Sequence, residues 1–219
     1  MKKASLGLAL GLFMGAASVY AAAFEGEVDF SMTAKQGTGT VAYFIQGSQF
    51  RVDTTYSGHT SSALINSDTR TMTMLMPAQK MYMTMAMPQP KPGVASGQGQ
   101  LTDTGRSAVI LGKTCEEWQY VGKGSTVSLW CAKGMGDFAG LGGKMNDPSG
   151  AWAEVLKGKG FFPLKIVTKD ASGKPFLSLE AIKLSPGTED ASLFQVPAGY
   201  SKIDMGNLGA MMGNAQGQK

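Results

Sequence analysis

The chain has 219 residues, 43% of them apolar, with 20 basic and 16 acidic side chains and a formal charge of +4. That length accommodates one large domain, and the lysines are scattered rather than clustered, so nucleic acid is excluded as a partner. After the first residues, no apolar run is long enough to cross a bilayer as a helix, so an integral membrane protein is not expected.

The N-terminus reads as a secretory signal peptide over residues 1–21. Lys2 and Lys3 give it a positive start, Leu6 to Val19 an apolar centre too short for a membrane span, and cleavage fits after Ala21 or Ala23. No cysteine lies near those sites, so lipid attachment is not expected. The implied location is the periplasm.

From Phe24 the side chains alternate. Phe24, Gly26, Val28, Phe30 and Met32 fall on one face, and Glu25, Glu27, Asp29 and Ser31 on the other, the period of a half-buried antiparallel strand. Gly37-Thr-Gly39 leads to a second strand at Thr40 to Gln46, and Gly47-Ser48 to a third at Gln49 to Tyr56. Ser57-Gly58 precedes a fourth near Ser61 to Asn66.

Next comes Thr71 to Met87, where methionine holds every second position on both sides of Pro77-Ala78-Gln79-Lys80. If those four residues turn, Met72 faces Met85, Met74 faces Met83 and Met76 faces Met81 across an antiparallel hairpin. The reverse face (Thr71, Thr73, Leu75, Tyr82, Thr84, Ala86) is more polar and suits solvent. Six strands with short connections make a meander without a βαβ crossover.

Pro88 to Gly105 is rich in proline and glycine and reads as a flexible surface loop. Thr114 to Val121 and Ser125 to Cys131 then form a hairpin. Taking Gly122-Lys123-Gly124 as a three-residue loop sets Cys115 directly opposite Cys131, and export favours a disulfide between them. Gly134 to Gly160 is glycine-rich around a short helix at Ala151 to Leu156, with Trp152, Val155 and Leu156 on its apolar side. Strands at Phe162 to Thr168 and Phe176 to Leu184 follow, then a closing segment from Asp190 to Asp204. The 205–219 tail reads as disordered. The folded domain is thus expected over 24–204.

Several segments together resemble a family of exported bacterial domains known only as a domain of unknown function. They are Met81-Tyr-Met83, Leu111-Gly-Lys-Thr-Cys-Glu-Glu117, Pro163-Leu-Lys165 and Ser192-Leu-Phe-Gln-Val-Pro-Ala-Gly-Tyr200. The last also looks like the C-terminal strand of the lipoprotein-carrier (LolA-like) superfamily. The resemblance implies a mainly β fold, a single antiparallel meander curved into an incomplete barrel with one or two short helices over its open side. It implies a concave apolar interior able to hold an acyl chain, and it carries over no catalytic residue.

Three functions remain, all without a cofactor. The first is a non-enzymatic module that holds a hydrophobic small molecule or lipid. Met72, Met74, Met76, Met81, Met83 and Met85 would line its cavity with Phe30, Phe50, Phe162, Leu164 and Ile166, since thioethers fit ligands of varied shape. The second is a Cu(I) site on Met74, Met83 and Met85, soft donors for a soft ion. The third is an envelope protein that binds a protein partner. The plain alternative for the methionines is core, and in a half-barrel the core is also the cavity wall.

An enzyme is not expected. His59, the only histidine, reads as a solvated turn residue, and there is no nucleophile elbow, zinc-ligand cluster or phosphate-binding loop. Glu25, Glu27, Asp29, Glu116 and Glu117 read as solvated, and Glu116 and Glu117, as strand neighbours, point to opposite faces.

Overall fold

The computed structural model describes residues 24–87, 99–122, 124–138, 151–156 and 158–203. The expected signal peptide, the 88–98 part of the expected loop, and the tail lie outside them. Six strands form the expected meander: β1 (Gly26–Ala34), β2 (Gly37–Gln46), β3 (Gln49–Tyr56), β4 (His59–Asn66), β5 (Thr71–Met76) and β6 (Met81–Ala86). The turns fit their residues. Tyr56 pairs with His59, so only Ser57 and Gly58 connect β3 to β4, and both have positive φ. That is the two-residue turn whose twist matches its flanking strands.

A second meander follows: β7 (Gln100–Ile110), β8 (Lys113–Gly122), β9 (Ser125–Lys133), β10 (Phe161–Asp170) and β11 (Pro175–Pro186). The two meanders join where β1 pairs antiparallel with β11, Val28 opposite Leu184. Last comes β12 (Ser201–Lys202), which runs parallel to β6 in a sheet otherwise antiparallel throughout. The twelve strands lie in the order β12-β6-β5-β4-β3-β2-β1-β11-β10-β9-β8-β7. The two ends do not meet, so the sheet is an unclosed barrel, as the sequence led one to expect.

Curvature is visible in the side chains. Tyr43 on β2 and Phe162 on β10 have two strands between them, yet their ring centroids are 5.7 Å apart. Strands in a flat sheet are spaced about 4.8 Å, so the sheet must curl to bring the rings together. Inside the curl lie Val28, Phe30, Val41, Tyr43, Val52, Leu129, Leu164 and Ile166, all buried. Helix α1 (Ala151–Leu156) has too few residues to be stable alone. It is held by burying Trp152 and Leu156 in this core.

Two expectations on elements are corrected. Gln100 to Gly105, read as part of a loop, belong to β7. This strand lies at the edge of the sheet, with solvent on much of both faces, so it lacks the apolar alternation that marks an inner strand. The Ser192 to Tyr200 segment is not a strand. It contains a 3-10 turn, Ala191–Phe194, capped by the Asp190 side chain, which accepts from the Ser192 amide at 2.8 Å. Pro197 follows and has no amide to offer a ladder.

Candidate functional site

The methionine hairpin has the register its spacing implies. Met72 pairs with Met85, Met74 with Met83 and Met76 with Met81, with the 3-10 turn Pro77–Gln79 between the strands. Lys80 closes that turn in the left-handed conformation, its amide bonded to the Pro77 carbonyl. Across β4 and β3 the same face continues through Ile65, opposite Met72, and Phe50, opposite Ile65. The methionines therefore extend the concave, core-bearing side of the sheet. All six are half-buried, neither sealed in the interior nor open to water.

The reverse side departs from expectation. It is not simply solvated, because Leu75 is 2% exposed and Ser62 and Leu64 are also buried. The segment after β11 crosses this convex side. Arg51 Nη1 donates to the Leu193 carbonyl at 3.0 Å while its Nε grips Asp53, and Phe194 and Val196 stand beside Leu64 and Thr73 across a small hollow. The segment then joins the edge of the hairpin, with the Ser201 amide bonded to the Lys80 carbonyl and the Ile203 amide to that of Tyr82. Farther along the same convex side, the Thr73 and Thr84 hydroxyls are 2.8 Å apart.

The apolar residues expected to line a cavity with the methionines are in the filled interior. Phe30, Phe50, Phe162, Leu164 and Ile166 are 0–7% exposed. Phe138 fills the space above them, stacked on Tyr43 at 5.3 Å, edge-on to Phe162 at 5.2 Å and 5.7 Å from Trp152. Tyr43 and Phe138 were missed as site residues. Tyr43 shares the β2 alternation with Val41 and Ile45, which would have revealed it. Phe138 lies in a glycine-rich stretch with no periodicity to mark it.

Cys115 and Cys131 are both free thiols, and the expected disulfide is absent. Gly122 pairs with Ser125, one residue tighter than a three-residue loop, and Gly124 takes a φ of +75° to allow it. That one-residue slip sets Cys115 opposite Ala132 and Cys131 opposite Glu116. In a pleated ladder the two thiols then point to opposite faces. Burial pushes the Cys131 thiol up to about 12, and burial also raises Cys115, so both stay protonated and unreactive.

Glu116 and Glu117 do point to opposite faces, but only Glu116 is solvated, paired with Lys133 at 2.7 Å. Glu117 is buried, which corrects the solvated reading. It accepts from Thr104 at 2.7 Å and Ser128 at 3.1 Å and is paired with Arg106, so it fastens the edge strand β7 to β8 and β9. Glu27 and Asp29 share Lys183 on the outward face. His59 is exposed, at the start of β4, and strand alternation sets it on the same side as Ala63 and Ile65.

Among the described residues, no group of three or more His, Cys, Asp or Glu side chains is placed to hold a metal ion. None of their helices is long and apolar enough to cross a membrane. What the arrangement offers is a pliable sulfur-rich surface beside a solid aromatic core.

A family model described as a domain of unknown function (DUF4412) matches residues 24–200. No curated protein matches the chain by sequence. Among solved structures, an uncharacterized conserved protein from Thermus thermophilus aligns with a TM-score of 0.50 at 13% identity, over 82% of this chain and 90% of that one. PNGF-II aligns with a TM-score of 0.52 at 12% identity over 88% of this chain, which spans only 34% of PNGF-II. A domain named for outer membrane lipoprotein sorting, from Vibrio parahaemolyticus, aligns at 0.33 with 10% identity, over 77% of this chain and 87% of that one. At such identities the first two likenesses concern the fold alone, and the third is too loose to bear on function.

Proposed function

This chain belongs to the DUF4412 family, and from that premise we propose that it is a non-enzymatic periplasmic binding module for a lipid or other hydrophobic ligand, taken up on the methionine face. The observation that carries the reading is the half-buried state of all six hairpin methionines on a face continuous with the core. A surface that served only as core would be sealed, and one facing water would not be built of thioethers. Unbranched, polarizable side chains adapt to acyl chains of differing shape without a fixed pocket.

The ligand sits on the flank rather than deep in the curl. Phe138 and Trp152 already fill the space above Tyr43 and Phe162, so Phe30, Phe50, Phe162, Leu164 and Ile166 act as a rigid floor and the methionines as the contact surface. The test is uptake of a fluorescent fatty acid, with native mass spectrometry of protein purified from its own host. Co-purifying lipid, and uptake lost when Met74 and Met83 are both changed to serine, are the expected results. A bare protein mass with no uptake overturns the reading.

A further inference from the structure

We propose that the methionine flank is also a Cu(I) site, with Met74, Met83 and Met85 as thioether ligands. This goes beyond the hydrophobic-ligand reading and does not depend on it. Directly opposed side chains on an antiparallel pair have their Cβ atoms about 4.5–5.5 Å apart, and diagonal neighbours remain within reach of long side chains. Met74 and Met83 are opposed, and Met85 is the next residue along β6 on the same face. Three flexible thioethers on one face are therefore within reach of one another, on two strands whose register is fixed by the ladder and by the turn at Lys80.

The donor set selects the ion. Thioether sulfur is neutral and soft, which suits Cu(I) and offers little to zinc, calcium or magnesium. Competing donors are remote or shut away: Cys115 and Cys131 are at most 1% exposed, and no acidic or imidazole cluster exists among the described residues. His59 stands at the turn end of the same side and is not needed for a three-sulfur set. Half-burial leaves the sulfurs reachable by an incoming ion, while the neighbouring apolar surface keeps water from competing for it.

The experiment is an anaerobic titration of the full chain with Cu(I) against a chromophoric chelator, repeated on the triple variant M74L/M83L/M85L. Leucine preserves volume and apolarity, so the variant folds and its apolar surface persists. The chain is expected to withdraw Cu(I) from the chelator at micromolar affinity or tighter, and the triple variant to bind at least tenfold more weakly. No withdrawal by the wild-type chain, or an affinity unchanged in the variant, overturns the site. Fatty-acid uptake by the unaltered chain, measured separately, keeps the two readings apart: uptake without Cu(I) withdrawal overturns the copper site alone, and Cu(I) withdrawal without uptake overturns the lipid reading alone.

Discussion

The middle of the sheet and its methionine flank share one concave side and differ in how they are filled. In the middle, Tyr43, Phe138, Phe162 and Trp152 interlock at centroid distances of 5.2–5.7 Å. Flat rings held at such distances have few alternative arrangements, so this region fixes the curvature. On the flank the same side carries half-covered thioethers, whose unbranched side chains are intrinsically adaptable. A single sheet thus combines a part that specifies shape with a part that tolerates variation in what it touches.

Mutation separates the two. Phe162→Ala removes a fully buried ring from the stack and should cost about 3–5 kcal/mol in urea unfolding. On the convex side, Leu75→Ala should cost about 2–5 kcal/mol, since Leu75 is only 2% exposed. Met83→Leu should cost less than about 1.5 kcal/mol in the same assay. If Met83→Leu were as damaging as Phe162→Ala, the flank would be ordinary core and the contrast would collapse.

The pH response sharpens the point for the buried thiols. Cys131 is raised from its ordinary 9.0 to about 12 in the fold, chiefly by burial. In alkali the folded chain therefore holds a proton that the unfolded chain has lost. The stability this provides is complete below pH 9 and drains away as pH climbs toward 12. Urea midpoints should be flat in this respect up to about pH 8 and fall above about pH 9, with a shallower fall in Cys131→Ala. A variant falling as steeply as the wild type would assign the alkaline loss to other groups. The smallest effect is kinetic: iodoacetamide should label neither cysteine in the native chain over the time it labels both in urea.

Local pattern made much of this legible in the sequence. The six-strand meander and the methionine register follow from alternation and from turn residues that permit few connections. What escaped depended on contacts between distant segments or on a single turn residue. Edge strand β7 is polar because it has only one neighbour, a fact absent from its own residues. Glu117 looks like any strand carboxylate until β7 brings Arg106 and Thr104 to it. The cysteine pairing failed on one residue of loop length, the kind of error that reverses every side chain downstream. The convex face was read as wet because nothing in Leu64 or Thr73 shows that Phe194 and Val196 come to lie beside them.

The parallel strand β12 has a consequence for solubility. An exposed hairpin edge is a template for further strands, and an edge rich in methionine would recruit copies of itself. Two residues near the end of the domain, Ser201 and Lys202, occupy the start of that edge on β6. That pairing covers the first part of the edge, and a chain shortened to Tyr200 should elute as larger species in gel filtration than the intact chain at the same concentration.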